Sequence, residues 1–326
     1  MGFGKKKAQD KSLDPYGPTE YIPEHSSVPV VNSIDHSTRI DHTPQWTSHH
    51  SKVGGIFERF HSFRQRNRDY LAEFLGTLIL VLLGDGVVAT TVLFEPAGGG
   101  SKWLLISFGF GFGLAMGVFV AGGVSGAHLN PAITVTSCLL RGFPIRKVPG
   151  YIISQLIGAY CGAALLFGIY HSSIHHFDGG VRHTTGDLGT AGIFATFPLP
   201  WVTVGSAFIS EAFGAAVLTA MIYAILDERN IAGTLYAPLA IGFVLMEVAR
   251  SISWQTGFAV NPARDLGPRI FLSCVGYGSD PWTASDHYAW VPVVAPFLGS
   301  FLGGWFYDFF INHRRKRIMA PPEHRS

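Results

Sequence analysis

Two Asn-Pro-Ala triplets carry the residue types whose spacing most clearly predicts chemistry in this chain. They are Asn130-Pro131-Ala132 in the first half and Asn261-Pro262-Ala263 in the second. Asn is a preferred N-cap and Pro is preferred at the first helical position, so each triplet predicts the start of a helix. A side-chain amide placed there can donate a hydrogen bond to the oxygen of a small neutral solute such as water or an alcohol.

Each triplet is followed by an apolar stretch that is too short to cross a membrane, at 133–140 and 266–274. About ten helical residues rise about 15 Å, which is half of a bilayer core. We therefore expect two half-helices that enter from opposite faces and meet with their N-termini at the midplane. The alternative is that both triplets are ordinary loop turns, and their equivalent places in a duplicated sequence argue against it.

The duplication is visible around two acidic residues. Glu73 lies in AEFLGT at 72–77 and Glu211 in SEAFGA at 210–215, and each precedes the Asn of its own triplet, by 57 and 50 residues. Three spans are predicted in each half. Because three is odd, the second copy enters the membrane from the opposite side, which makes the repeat inverted.

The composition places these elements in lipid, because 48% of the residues are apolar and only 14% are Asp, Glu, Lys or Arg. This excludes a disordered chain or a disulfide scaffold and disfavours a water-soluble enzyme. The net charge of +2 gives no reason to expect nucleic-acid binding. The predicted fold is an all-α membrane protein with two re-entrant half-helices and six transmembrane helices, near 70–94, 103–122, 147–170, 203–226, 235–252 and 288–311.

The segments around both triplets resemble the paired signatures of the aquaporin superfamily. SGAHLNPAIT at 125–134 and GFAVNPARDLGPR at 257–269 carry the resemblance, and the second is similar to the aquaglyceroporin branch. It covers about residues 68–312, and the hydrophilic tail and loops most resemble fungal members. It implies a passive channel for glycerol and related small uncharged polyols that also conducts water and excludes protons and ions.

The resemblance also implies a selectivity filter, formed by Phe110, Ala249, Phe258 and Arg264. Water-selective members have a His at the position of Ala249 and a small residue at that of Phe258. A small Ala249 widens the ring, while Phe110 and Phe258 offer an apolar corner to a carbon backbone and Arg264 donates to hydroxyls.

Four further residues are assigned by the resemblance to loop support: Glu73, Glu211, His128 and Asp265. The two buried acids are expected to hold the pore loops through hydrogen bonds. A proton-coupling role for them is the competing interpretation, because acids inside membranes often mark transport relays.

The domain organisation follows from these assignments. Residues 1–66 are predicted to be a disordered cytoplasmic tail, 67–312 the channel domain with repeats at about 70–170 and 203–311, and 313–326 a second cytoplasmic tail. Basic residues beside the spans gather on one side, so both termini are expected in the cytoplasm. The plasma membrane is the expected location and a homotetramer the expected assembly.

Other functions have less support from the sequence. A mainly water-selective pore and a non-conducting membrane scaffold remain as alternatives. No nucleotide-binding loop, nucleophile triad or metal-ligand spacing is evident, so no catalytic residue, metal or cofactor is expected. The expected partners are glycerol, water and membrane lipids, without nucleic acid. Asp85 and Glu247 receive no role.

Overall fold

The computed structural model describes residues 52–94, 99–230 and 234–311, and within these ranges the regular structure is helical. Short 3₁₀ turns separate several of the helices. The α-helices are α1 (Lys52–Arg66), α2 (Arg68–Leu93), α3 (Gly99–Ser125), α4 (Pro131–Arg141), α5 (Val148–Phe177), α6 (Val204–Leu226), α7 (Ala237–Ser251), α8 (Pro262–Cys274), α9 (Asp280–His287) and α10 (Val291–Phe310).

The predicted all-α membrane fold is confirmed. Five helical segments, containing α2, α3, α5, α6 and α10, are long and apolar enough to cross a membrane. The fifth predicted span, 235–252, contains the shorter helix α7. Its 15 residues rise about 22 Å, against a core of about 30 Å, and the 3₁₀ turn Thr234–Tyr236 leads into it.

The helices pack as two similar sets that exchange their half-helices. In the first repeat α2 packs against α3 and α5, and in the second α6 packs against α7 and α10. The half-helix α4 contacts α10 of the other repeat, and α8 contacts α5 in return. The two repeats therefore share one helical bundle, and α3 and α7 form a further contact between them.

Glycines permit the closest helix contacts at matching places in both repeats. A methyl group on Gly158 of α5 would lie 2.3 Å from the carbonyl oxygen of Phe74 on α2. On Gly299 of α10 it would lie 1.9 Å from the carbonyl oxygen of Ala212 on α6. Only glycine fits there, as the four-residue spacing of small residues indicates for helices that approach closely.

Helix α1 differs from the prediction of a disordered tail over residues 1–66. Lys52–Arg66 is helical, with Asn67 between it and α2, and its three phenylalanines Phe57, Phe60 and Phe63 are exposed. The low apolar content of the whole tail hid this local repeat, in which an aromatic residue recurs every third position. The rest of that predicted tail, 1–51, and the predicted C-terminal tail, 313–326, lie outside the described residues.

Candidate functional site

The two half-helices begin as the triplets predict. The side-chain oxygen of Asn130 accepts a hydrogen bond from the backbone N–H of Ala132 at 2.8 Å, with Pro131 at the first helical position. In the second half Asn261 caps α8 by accepting from Ala263 at 3.0 Å, and Pro262 follows it. Each asparagine thus fixes its own helix start with its oxygen and keeps its amide nitrogen for another partner.

The amide nitrogens connect the two repeats. Asn130 Nδ2 donates to the carbonyl oxygen of Val260 at 3.0 Å, and Asn261 Nδ2 donates to that of Leu129 at 2.8 Å. An amide nitrogen carries two hydrogens, so each asparagine retains a second donor. Both asparagines line the same narrow cavity, which places these donors beside any solute inside it.

The loops before the triplets share an unusual backbone. Residues with positive φ occupy matching positions, at Gly126 (85°), Ala127 (49°) and Leu129 (50°) and at Gly257 (83°), Phe258 (43°) and Val260 (40°). Four of these six are not glycine, and left-handed conformations cost energy for residues with a side chain. Such loops persist only where the surrounding structure holds them.

Glu73 of α2 supplies that support in the first repeat. One carboxylate oxygen accepts from the Ser125 hydroxyl at 2.6 Å and the His128 N–H at 2.9 Å. The other accepts from the Leu129 N–H at 2.7 Å and the Gln155 amide at 2.8 Å. The buried acid thus has four donors around it, two of them backbone groups of the loop.

Glu211 of α6 does the same in the second repeat with three donors. Its Oε1 accepts from the Thr256 hydroxyl at 2.6 Å and the Ala259 N–H at 3.0 Å, and its Oε2 accepts from the Val260 N–H at 2.7 Å. Both acids therefore bind successive N–H groups of the strained loops.

Besides the backbone N–H that it donates to Glu73, His128 contributes through its ring. Its Nδ1 lies 3.2 Å from the Thr134 hydroxyl, and its ring packs against Phe143 and Tyr151, with centroids 4.7 and 5.2 Å away. The imidazole also lines the pore cavities on both sides of the loop. It is a packing and lining residue of the first repeat.

Asp265 ties α8 to the preceding loop through Thr196. One carboxylate oxygen accepts from the Thr196 N–H and hydroxyl at 2.8 and 2.6 Å, and Arg269 donates to both carboxylate oxygens at 2.7 and 2.9 Å. All three side chains are buried. Sequence reasoning missed Thr196 and Arg269, although the four-residue spacing of Asp265 and Arg269 indicates an ion pair on one helix face.

Three of the four predicted filter residues meet in the lining of the narrow cavity. The Phe110 and Phe258 rings pack edge to face with centroids 5.0 Å apart. The guanidinium carbon of Arg264 lies 4.3 Å from the Phe110 centroid, and its Nη1 donates to the carbonyl oxygen of Phe194 at 3.1 Å. The site therefore presents aromatic carbon and a guanidinium side by side.

Ala249, the fourth predicted filter residue, is fully buried and is not among the residues that line this cavity. Its carbonyl oxygen accepts from the indole N–H of Trp103 at 3.1 Å, and that indole packs edge-on against Phe258 at 5.4 Å. Sequence reasoning missed Trp103. It lies seven residues before Phe110, two helical turns along the same face of α3, which is the signal that points to it.

The pore widens sharply away from the filter. The narrow cavity has a volume of about 30 Å³, enough for only one or two water molecules. A second cavity of about 1040 Å³ opens beyond His128 and is lined by Ala127 and the ends of α4 and α6. The first cavity is the constriction, and the second is a vestibule.

Two charged pairs lie at the vestibule. Arg141 contacts Asp308 at 2.6 Å. Arg229 donates two hydrogen bonds to Asp227, at 2.8 and 2.7 Å, and thereby holds the pKa of that carboxyl well below its usual range. The Tyr307 hydroxyl also donates to Asp227, at 2.9 Å.

The two acids without a predicted role differ in their exposure and in their partners. Glu247 is exposed and pairs with Arg250 at 3.3 Å. Asp85 is fully buried, and one of its oxygens lies 3.6 Å from Nη1 of Arg264. Throughout the described part of the chain, no group of three or more His, Cys, Asp or Glu residues is arranged to hold a metal ion.

Comparison with known proteins agrees with this geometry. Residues 60–307 match the family model described as major intrinsic protein. The chain is 45% identical over 260 residues to Aquaglyceroporin-2 of Rhizophagus irregularis, covering 79% of this chain and 82% of that protein. It is 39% identical over 262 residues to human Aquaporin-9, covering 78% and 88%. The crystal structure of the aquaglyceroporin from Plasmodium falciparum matches with a TM-score of 0.67 at 32% identity, covering 75% of this chain and 96% of that one. The chain belongs to the major intrinsic protein family.

Proposed function

We propose that this protein is a passive channel for glycerol and related small uncharged polyols, which also conducts water and excludes protons and ions. The observation that carries the proposal is the constriction, where Phe110 and Phe258 lie beside Arg264. The protein names found by comparison, among them Aquaglyceroporin-2, support the same conclusion.

The constriction suits a molecule that has carbon on one side and hydroxyls on the other. The Phe110 and Phe258 rings can cover the carbon chain of glycerol, while Arg264 donates hydrogen bonds to its hydroxyls. An ion would have to shed its hydration water here, and the aromatic carbon would not replace it. The arrangement therefore favours neutral polyols.

Proton exclusion is proposed to arise at the two triplets. The N-termini of α4 and α8 place the positive ends of two helix dipoles at the pore centre, which disfavours hydronium. The second amide hydrogens of Asn130 and Asn261 donate to a passing oxygen and turn its own hydrogens outward. A continuous donor-acceptor chain, along which protons would hop, is interrupted at that point.

Paired flux measurements on purified protein in liposomes test the proposal. We expect glycerol and water fluxes well above those of protein-free liposomes, without added proton leak. Water flux without glycerol flux would instead identify a water-selective pore. Absence of both fluxes from correctly folded protein would leave a non-conducting scaffold. No enzymatic activity is proposed for the chain.

The protein is a multi-pass membrane protein, and we propose that it lies in the plasma membrane as a homotetramer with both termini in the cytoplasm. The orientation is supported by Arg141 and Arg229 beside the vestibule, since basic residues favour the cytoplasmic side. Cysteine labelling from each side of sealed vesicles, with Cys introduced at Glu228, tests the orientation. Labelling of this Cys by an impermeant reagent added only to the outside of intact cells would contradict it.

We propose that α1 rests on anionic lipid at the cytoplasmic surface. Phe57, Phe60 and Phe63 are exposed, Arg59 and Arg66 lie on the same short helix, and the first span begins two residues after it ends. Such a helix buries aromatic rings in the interface while its basic residues meet lipid phosphates. A synthetic 52–66 peptide is expected to float with phosphatidylserine vesicles. The same peptide with its three phenylalanines replaced by Ser should float with them less.

A further inference from the structure

A buried carboxylate faces the filter arginine from the middle of α2. Asp85 has no exposed surface, and neither of its oxygens has a hydrogen bond within the described residues. Its Oδ1 lies 3.6 Å from Arg264 Nη1, which is an ion-pair distance and beyond a hydrogen bond. A carboxylate inside a membrane bundle costs free energy unless it is paired with an opposite charge.

Arg264 has no other carboxylate within 4 Å in the part of the chain that the structure describes. The acid next to it in sequence, Asp265, is bound on both oxygens by Arg269 and Thr196. Two arginines among the described residues are buried, and each has its own aspartate. Asp85 is the one assigned to the filter.

The remaining contacts of the guanidinium show what this pairing controls. Arg264 donates to the Phe194 carbonyl at 3.1 Å and lies over the Phe110 ring at 4.3 Å, while its Nε has no hydrogen-bond partner among the described residues. The carbonyl and the aromatic face carry no formal charge. Asp85 is thus the group that balances the positive charge of the filter.

We propose that Asp85 is a positioning residue of the filter, whose carboxylate neutralises Arg264 and holds the guanidinium against Phe110. The inference rests on the proposed channel function and deepens it. A neutral filter rejects anions as well as cations, because neither gains electrostatic energy there in exchange for its hydration shell. Loss of Asp85 leaves a net positive filter that attracts anions.

The test compares Asp85→Asn with wild type in liposomes, with Glu247→Gln as the matched control that removes an exposed charge. We expect Asp85→Asn to raise chloride leak by roughly tenfold and to leave potassium leak unchanged. Glycerol flux should fall relative to water flux, because a guanidinium no longer held against Phe110 narrows the constriction. Glu247→Gln should behave as wild type. Folded Asp85→Asn protein with unchanged chloride leak and an unchanged glycerol-to-water ratio would overturn the proposal.

A double variant keeps the test decisive where Asp85→Asn folds poorly. Asp85→Asn combined with Arg264→Gln removes both charges, so its melting temperature should exceed that of Asp85→Asn alone. The single variant Arg264→Gln completes the comparison. If Asp85→Asn lowers the melting temperature by the same amount in the wild-type background and in the Arg264→Gln background, the two residues are not coupled and the proposal fails. Wild-type glycerol flux, measured in parallel, tests the proposed function separately from these outcomes.

Discussion

The loops that precede the two half-helices have nearly the same backbone and different side chains. Both carry a positive φ at the first, second and fourth of their four positions, and both are held by a buried glutamate from the first helix of their repeat. Yet the second position is Ala127 in one loop, beside the wide vestibule, and Phe258 in the other, at the constriction. The two loops therefore share a scaffold, and only the second adds a phenylalanine ring to the constriction.

The difference continues into the half-helices. Counted from the asparagines, Ile133 corresponds to Arg264 and Thr134 to Asp265. Thr134 accepts from Gln155 and donates within its own helix start, whereas Asp265 secures a second arginine and a distant loop. Charge has been added on one side of the pore only. Both repeats therefore keep the acid that supports the loop, whereas the residues that face the pore differ between them.

The largest effect is expected where the repeats are alike. Glu73→Ala leaves four donors without their acceptor and Glu211→Ala leaves three, so each should cost at least about 4 kcal/mol of unfolding free energy. Melting of the detergent-solubilised protein measures this, with Glu247→Ala as an exposed control. If only one of the two variants is destabilised, the two acids do not support their loops equally, although their contacts are similar.

The next effect should separate the repeats. Asp265→Asn leaves the buried Arg269 without its carboxylate, which should lower the free energy of unfolding by about 3–5 kcal/mol. Thr134→Val at the corresponding position should lower it by about 1–2 kcal/mol. Thermal unfolding of both variants in the same detergent makes the comparison. Equal losses would show that the added ion pair contributes nothing beyond the hydrogen bonds of its counterpart.

A selectivity change is expected from the filter side alone. Ala249→His adds an imidazole to the residue whose carbonyl holds the Trp103 indole, which in turn packs on Phe258, so glycerol flux should fall about tenfold while water flux falls much less. Liposomes with matched protein incorporation give both fluxes. Adding Phe258→Cys to Ala249→His should restore room for water, so the double variant should have the higher water flux. A uniform loss of both fluxes in Ala249→His would place position 249 outside the selective constriction.

The smallest effect should come from the vestibule side of the first loop. His128→Ala removes the ring contacts with Phe143 and Tyr151 and the contact of Nδ1 with the Thr134 hydroxyl, but no hydrogen bond to Glu73, which uses the backbone of His128. A loss of about 1 kcal/mol is expected, with the glycerol-to-water ratio unchanged. A marked change in that ratio would show that the first loop also selects solutes.

The fold was predictable because its signals are local and repeated. Charge-free stretches mark the spans, and an Asn-Pro pair before a short apolar run marks each half-helix, since cap chemistry and helix length depend on neighbouring residues alone. The helix at Lys52–Arg66 was not predicted, because the low apolar content of the whole tail hid its local aromatic repeat.

The site was predictable only in part, for a physical reason. The triplets and Arg264 are recognisable in sequence, whereas the contact of Asp85 with Arg264 joins residues 179 positions apart. No periodicity within α2 indicates which helix Asp85 will face. The same holds for Trp103 and Ala249, whose contact spans 146 positions.

The exchange of amide hydrogen bonds between Asn130 and Asn261 has a consequence for biosynthesis. The acceptor of the Asn130 amide is the Val260 carbonyl, so that bond cannot form until the ribosome has made residue 260. Until then the first repeat holds an unfinished loop, with a donor lacking its acceptor and α4 lacking its contact with α10. The pore centre is therefore completed late, by the meeting of two halves of which neither is finished by itself.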